Sequence, residues 1–250
     1  MKPITQETAR KLLLQSDAKY ISQEHPVIFY DLFSGLLELE TYTCADCLIV
    51  KNNLNWFVHA LSDKADIIVA KNNIQMLKSE KDSIFAFSYG EPTQDLNGKI
   101  GSYKFARKWF SYKDPDIRKI TLEDKKKVEI CCAMDKDDSE IGQNIASDFL
   151  RSFSDFCIAE DIRTLGLFES DKLIGFVQGE IQKELGITTV NIYVNRAYRR
   201  KGYAKRLLSA ICSMQQETVY CYSCVCTNEA SVATARACGF HYMGYYLKLD

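Results

Sequence analysis

Residues Val190–Arg206, VNIYVNRAYRRKGYAKR, carry the densest chemistry in the chain. A strand pattern ends at Val194. Five residues later, Arg199-x-x-Gly202-x-Ala204 opens a helix. Small residues at 202 and 204 let a ligand approach the backbone closely. The N–H groups of the first helical turn have no intrahelical acceptor and carry partial positive charge, which suits phosphate. Arg196, Arg199, Arg200, Lys201, Lys205 and Arg206 put six cations in eleven residues. The expected ligand is a diphosphate. A solvated helix start with incidental cations is the plain alternative, and a bare G-x-A would favour it. Strand, spacing, basic loop and helix together favour phosphate.

Other phosphate and metal signatures do not account for this stretch. A Rossmann fingerprint needs G-x-G-x-x-G in a parallel βαβ unit with an acid about 20 positions on, and a P-loop needs GK[ST]. Neither occurs. The ten cysteines are irregularly spaced, including the adjacent pair Cys131-Cys132. Cys44/Cys47 and Cys221/Cys224 each read C-x-x-C, which raises a four-thiolate zinc site. Cys221 and Cys224 lie in the strand-like VYCYSCVC, where residues three apart point to opposite faces. The expectation is buried structural thiols, no metal and no required disulfide.

The elements that must hold the loop are clearest after residue 115. Asp116–Ile120 alternates. Thr121 with Glu123 and Asp124 starts a helix by a hydroxyl cap and first-turn acids. Ile141–Phe153 is a second amphipathic helix. Leu165–Glu169, Leu173–Ile181 and Thr188–Val194 form an antiparallel meander, turning at Ser170-Asp171-Lys172 and Glu184-Leu185-Gly186. Gly202–Met214 is helical, Thr218–Cys226 a strand, and a helix capped by Thr227 or Asn228 runs to Cys238 and ends at Gly239. Tyr242–Leu249 closes as a strand. The class is α+β, with the order β-α-α-β-β-β-α-β-α-β.

The first half is less regular. Glu7–Gln15 and Pro26–Leu37 read as helices. Cys47–Val50, Trp56–Leu61 and Ile67–Val69 read as strand-like apolar runs. Lys71–Ser79 reads as a helix, Ile84–Tyr89 as a strand, and residues 90–101 as a Gly- and Pro-containing loop or lid. Two domains are expected, 1–112 and 113–250. The first is a smaller α+β domain that shapes a ligand cleft or supports its neighbour, and it could be a degenerate copy of the second.

Composition bounds the function. At 250 residues, 46% hydrophobic and 26% charged, the chain is an ordinary globular one. Thirty-two basic against 33 acidic residues give a net charge of −1, so no global field holds nucleic acid or an anionic membrane. No run reaches the ~20 apolar residues of a membrane span. Lys2, Glu7, Arg10, Lys11, Asp17 and Lys19 interrupt any secretory h-region, so a cytoplasmic protein is expected. A homodimer stays open.

Residues 115–250 closely resemble the GNAT superfamily of acyl-CoA N-acyltransferases. Ile117-Arg118 with Thr121 and Asp124 is similar to its opening strand and helix. Arg199-Arg200-Lys201-Gly202-Tyr203-Ala204 is similar to its [QR]-x-x-G-x-[GA] pyrophosphate motif. Asn228-x-x-Ser231 followed by Gly239-Phe240 is similar to its closing signature. The resemblance implies a mixed, mostly antiparallel sheet flanked by helices. It implies acetyl-CoA as co-substrate and an amine acceptor, joined by direct attack in a ternary complex. The N–H groups of residues 201–205, within the stretch Arg199, Arg200, Lys201, Gly202, Tyr203, Ala204 and Lys205, hold the pyrophosphate. The backbone around Ile192, Tyr193 and Val194 pairs with the pantetheine arm, the Ile192 N–H polarises the thioester, and Asn228 and Ser231 contact the cofactor region. The sequence departs from the family at both proton-handling positions, which are Ala235 and Thr188. Glu180 and His241 are the substitute candidates. The alternative reading is a non-catalytic acyl-CoA-binding or regulatory protein.

Overall fold

The computed structural model describes residues 1–16, 32, 33, 39–89, 98–133 and 140–249. The expected helix at Pro26–Leu37 lies almost wholly outside the described residues, as do residues 90–97 of the expected loop. The chain divides into two compact units. The first comprises 1–106, 223–232 and 241–250; the second comprises 107–222 and 233–240. The division falls near the end of the sixth strand, within the eleventh strand, within the last helix and ahead of the last strand, whereas the sequence reading cuts the chain once, after residue 112.

In the second unit, β7 (Ile117–Lys119), β8 (Ile162–Glu169), β9 (Lys172–Gln182) and β10 (Ile187–Val194) pair antiparallel in chain order. β11 (Val219–Val225) then joins β10 in parallel. The β8–β9 hairpin turns on two residues, Ser170 and Asp171, both with positive φ. That is the type I′ geometry that matches strand twist. Helices α3 (Lys125–Ala133), α4 (Glu140–Arg151) and the short α5 (Phe153–Ile158) bring Val128, Cys131, Phe149 and Phe153 onto Phe176 and Tyr193. Phe149 stacks on Phe176 at 4.0 Å between centroids, and Phe176 on Tyr193 at 5.2 Å. Helix α6 (Tyr203–Ile211) follows β10, with Leu207, Leu208 and Ile211 buried. Helix α7 (Glu229–Ala237) ends at Gly239, whose φ of +73° is the left-handed closing conformation.

The start of α3 has its cap at Thr121, as expected, in a reciprocal capping box with Asp124. The turn at Leu122–Asp124 is 3₁₀, and the Asp124 carboxylate accepts from the Thr121 N–H at 3.1 Å. Arg118 holds the same carboxylate through two bonds of 2.7 and 2.8 Å. This lowers the Asp124 carboxyl to about 2, the Arg118 hydrogen bonds contributing most.

In the first unit, β1 (Lys2–Ile4), β2 (Glu40–Cys44), β3 (Cys47–Asn52) and β4 (Asn55–Ala60) pair antiparallel in order, and β5 (Ser83–Tyr89) joins β4 in parallel. The last strand, β12 (His241–Leu249), lies between β5 and β6 (Gly98–Lys108), antiparallel to both. Helix α1 (Gln6–Gln15) follows β1, and α2 (Ile67–Gln75) links β4 to β5. Ile49, Trp56, Val58, Ile67, Ile74, Ala86 and Leu247 share its core. Two expectations fail here. Ile67–Val69 is the first turn of α2, because the Asp66 side chain caps it by accepting from the Val69 N–H at 2.9 Å. Residues 98–101 are strand, not loop: a Cβ on Gly101 would sit 3.0 Å from the Tyr246 ring, so this glycine serves close packing against β12.

Candidate active site

β10 is zipped to β9 along its whole length, from Ile187↔Gln182 to Val194↔Gly175. Its parallel register with β11 covers only Ile187–Val190, four residues short of its end. Asn195 N–H donates to Ile174 O at 3.0 Å, so odd-numbered residues here turn their backbone groups toward β9. Ile192 and Val194 therefore present theirs at the opposite edge, beyond the β11 register. The Val194 carbonyl on that edge accepts from Arg199 Nε at 2.8 Å. Gly175 permits this strand end: a Cβ there would lie 2.5 Å from the Tyr193 carbonyl oxygen. Tyr193 is buried in the aromatic core and, being odd-numbered, turns its backbone groups toward β9, so it offers nothing at the open edge.

The loop after β10 is fixed by Asn195, a residue the sequence reading passed over. Buried Asn195 donates to the Cys131 carbonyl at 2.7 Å and accepts from the Ala197 N–H at 3.0 Å. An Asn directly after a strand, able to cap a short turn, was the available signal. The chain then passes Arg200 at φ +62° and Gly202 at φ +82° into α6. Gly202 is the N-cap and provides no side-chain bond to the first turn. No atom lies within 4 Å of where its Cβ would be. The first intrahelical bond runs from Arg206 N–H to Gly202 O, which leaves the N–H groups of Tyr203, Ala204 and Lys205 pointing out of the helix start.

The cation count needs correcting. Among the described residues Arg200, Lys201 and Lys205 make no ion pair; all three are exposed. The Lys201 ammonium lies 5.4 Å from the Tyr198 ring, with Lys172 at 5.1 Å from the same ring. Arg206 belongs elsewhere: its guanidinium is bound to Asp114 and Asp116. Tyr203 donates its hydroxyl to Glu169, an acceptor that raises the phenol above its ordinary range and gives Glu169 a role beyond the turn.

The proton-handling positions divide by environment. Thr188 is buried and shares a 3.0 Å hydrogen bond with the Thr218 hydroxyl, and Ala235 is fully buried in α7. Glu180 is exposed on β9 opposite Thr189. Crowding by neighbouring atoms, then the charge of Asp161, raises its carboxyl. Asn228, Ser231 and His241 fall in the first unit. The Asn228 side-chain oxygen accepts from the Ser231 N–H at 3.1 Å, and His241 is exposed at the start of β12.

All ten cysteines are free, and burial pushes the Cys47 thiol to about 12. Among the described residues no group of three or more His, Cys, Asp or Glu side chains is placed to hold a metal. None of the described helices is long and apolar enough to cross a membrane.

The profile of the acetyltransferase (GNAT) family matches residues 128–240. An acetyltransferase of the GNAT family from Colwellia psychrerythraea superimposes with a TM-score of 0.58, covering 99% of this chain and 98% of its own at 11% identity. A GCN5-related N-acetyltransferase from Sphaerobacter thermophilus gives 0.55, with 100% and 94% covered at 11% identity. One from Kribbella flavida gives 0.52, with 94% and 96% covered at 9% identity. At these identities the likeness is one of fold. No curated protein matches the chain in sequence. By the profile match, residues 128–240 are thus an acetyltransferase domain of the GNAT family, a family that transfers acyl groups from acyl-CoA.

Proposed function

We propose that the protein is an N-acetyltransferase that moves an acetyl group from acetyl-CoA to a primary amine. The observation that carries this reading is the start of α6. No atom lies within 4 Å of where a Cβ on Gly202 would be, the N–H groups of residues 203–205 point out of the helix, and Arg200, Lys201 and Lys205, next to them in the chain, are exposed and make no ion pair among the described residues. That arrangement fits a diphosphate. Ile192 and Val194 lie beyond the β11 register with backbone groups turned away from β9, which suits an extended amide-containing arm. A fixed Ile192 N–H aimed at the thioester oxygen stabilises the negative charge that grows there as the amine attacks. The C–N bond forms, the C–S bond breaks, and the thiolate departs.

Glu180 is the base. Its raised carboxyl is better matched to a proton at neutral pH than an ordinary glutamate. It pairs with Thr189, three residues and about 10 Å along the strand from Ile192, so it acts through water. His241 is the second candidate. The competing reading is an acyl-CoA-binding protein without turnover, favoured by buried Ala235 and hydrogen-bonded Thr188 at the usual acid and base positions.

Thiol release from acetyl-CoA with a panel of primary amines tests both. A responsive amine is expected, and Glu180→Gln is expected to lower kcat/KM by about 10²–10⁴-fold. Wild-type rates in that variant and in His241→Gln remove both bases. CoA binding without turnover of any amine establishes the binding protein instead, because ground-state recognition supplies no transition-state stabilisation.

A further inference from the structure

Arg206 lies four residues after Gly202, inside the run of cations that reads as a phosphate cluster. Its side chain points to a different task. Nε and Nη2 hold the two oxygens of Asp114 at 2.7 Å each, and Nη2 also holds Asp116 at 2.6 Å. The Asp114 carboxylate is almost wholly buried, with only 6% of its side chain exposed, and Arg206 shows 29%. Asp114 also accepts from the Tyr112 hydroxyl at 3.0 Å and from the Asp116 N–H at 3.1 Å. These contacts hold the Asp114 carboxyl below its ordinary range, the Arg206 bonds contributing most.

We infer, resting on the function proposed above, that Arg206 is a positioning residue for the diphosphate. It anchors the first turn of α6 to the segment 112–116 and does not touch the ligand. Two further contacts complete the anchorage. The Arg206 guanidinium lies 5.8 Å from the Tyr203 ring, and Tyr203 is bonded in turn to Glu169 at the β8–β9 turn. The first turn is thus tied on two sides, at residue 203 and at residue 206. The N–H groups between them are fixed in direction before any ligand arrives, which removes an ordering cost from binding. Direct phosphate contact is disfavoured by charge. Two carboxylates face one guanidinium, and withdrawing it leaves Asp114 buried and unpaired, a costly state.

The two roles give opposite outcomes when the aspartates are neutralised. Calorimetry with CoA, at low and high salt, compares wild type, Asp114→Asn, the double variant Asp114→Asn/Asp116→Asn, and Arg206→Lys. A positioning Arg206 predicts CoA binding weakened on the order of tenfold in Asp114→Asn, with an unchanged salt slope. The KM for acetyl-CoA rises in parallel, and kcat stays within about twofold. Arg206→Lys keeps the charge but loses the planar fork, so it is expected to bind as weakly as Asp114→Asn. Tighter binding with a steeper salt slope in the double variant, or full rescue by lysine, makes Arg206 a phosphate ligand and overturns the inference. A lower Tm with unchanged CoA affinity makes the cluster merely structural and also overturns it. Absence of CoA binding in the wild-type protein is a different failure, because it removes the proposed function itself.

Discussion

The two units carry the same strand–helix–strand device and use it differently. In the first, β4 leads through α2 to parallel β5; in the second, β10 leads through α6 to parallel β11. Each device follows a three-stranded antiparallel meander. The differences concentrate at the helix start and the strand end. The N-cap of α2 is Asp66, whose carboxylate occupies the Val69 N–H; the N-cap of α6 is Gly202, which occupies nothing. The β4–β5 register runs from Asn55↔Ser83 to His59↔Phe87, one residue short of the end of β4, and the His59 and Phe87 rings stack 4.8 Å apart at that end. The β10–β11 register stops four residues short. The loop into α2 is Ser62-Asp63-Lys64-Ala65, with one cation; the loop into α6 holds four before Gly202. One architecture thus yields a closed, self-capped crossover and an open one with a donor array. The fold supplies the scaffold, and a few side chains at the cap decide whether an anion can enter.

The strongest break of this contrast is Gly202→Asp, which puts a carboxylate at the N-cap of α6, the position at which α2 already carries one. Aspartate is among the few side chains that tolerate a left-handed cap, so the unit should stay folded. The new side chain fills the open space at residue 202, and its carboxylate repels the diphosphate. CoA affinity should fall about tenfold or more by calorimetry. Unchanged affinity in a folded variant removes the phosphate assignment.

What could be read from the chain follows the same contrast. In the second unit the local signals agree with the tertiary ones. Ser170-Asp171 makes the hairpin it promises, and the glycine and small residues at 202–204 open the helix where expected. In the first unit they conflict. Ile67–Val69 has the β-branched look of a strand, but a single carboxylate at 66 and burial of Ile67, Ala70 and Ile74 make it helix. The glycines at 98 and 101 look like a loop, but the second is there because an aromatic ring of β12 packs over it. At the site, backbone features were readable because they depend on neighbours in sequence. Charge partnerships were not. Arg206 is neutralised by aspartates some ninety residues earlier, and the Thr188 hydroxyl is taken up by a hydrogen bond to Thr218, thirty residues later.

The helices that follow the first strand of each unit extend the comparison to pH. The start of α1 is capped by a neutral hydroxyl, the Thr8 N–H donating to Thr5 Oγ1 at 3.2 Å. The start of α3 depends on the Asp124 carboxylate and its Arg118 fork. The Asp124 pKa is depressed in the folded protein, from about 3.9 to about 2. Its stabilisation is therefore complete above about pH 4 and is lost as pH falls through about 2. Arg118 is 46% exposed, so solvent screening limits the effect to about 1–2 kcal/mol. Asp124→Asn should lower the thermal midpoint at neutral pH, and the difference from wild type should vanish near pH 2. A constant difference across that range means the carboxylate's charge is not what holds the helix start.

The smallest effect, and the sharpest test of what closes the first unit, comes from Asp66→Ala. Removing the cap frees the Val69 N–H and should cost about 1 kcal/mol, read as a modest fall in thermal midpoint. The variant should still bind a single CoA per chain with wild-type affinity. An open helix start is not enough where the parallel strands stay paired almost to their ends and His59 stacks on Phe87. The side chains of Ile68 and Val69, both exposed on that first turn, replace the loop cations of α6 with apolar surface. Calorimetric stoichiometry decides the matter. One CoA per chain places the barrier in the zipped strand pair as well as the cap. A second binding event in Asp66→Ala means that the carboxylate alone had closed an otherwise competent site, and that the two units differ by one residue's charge instead of by their strand geometry.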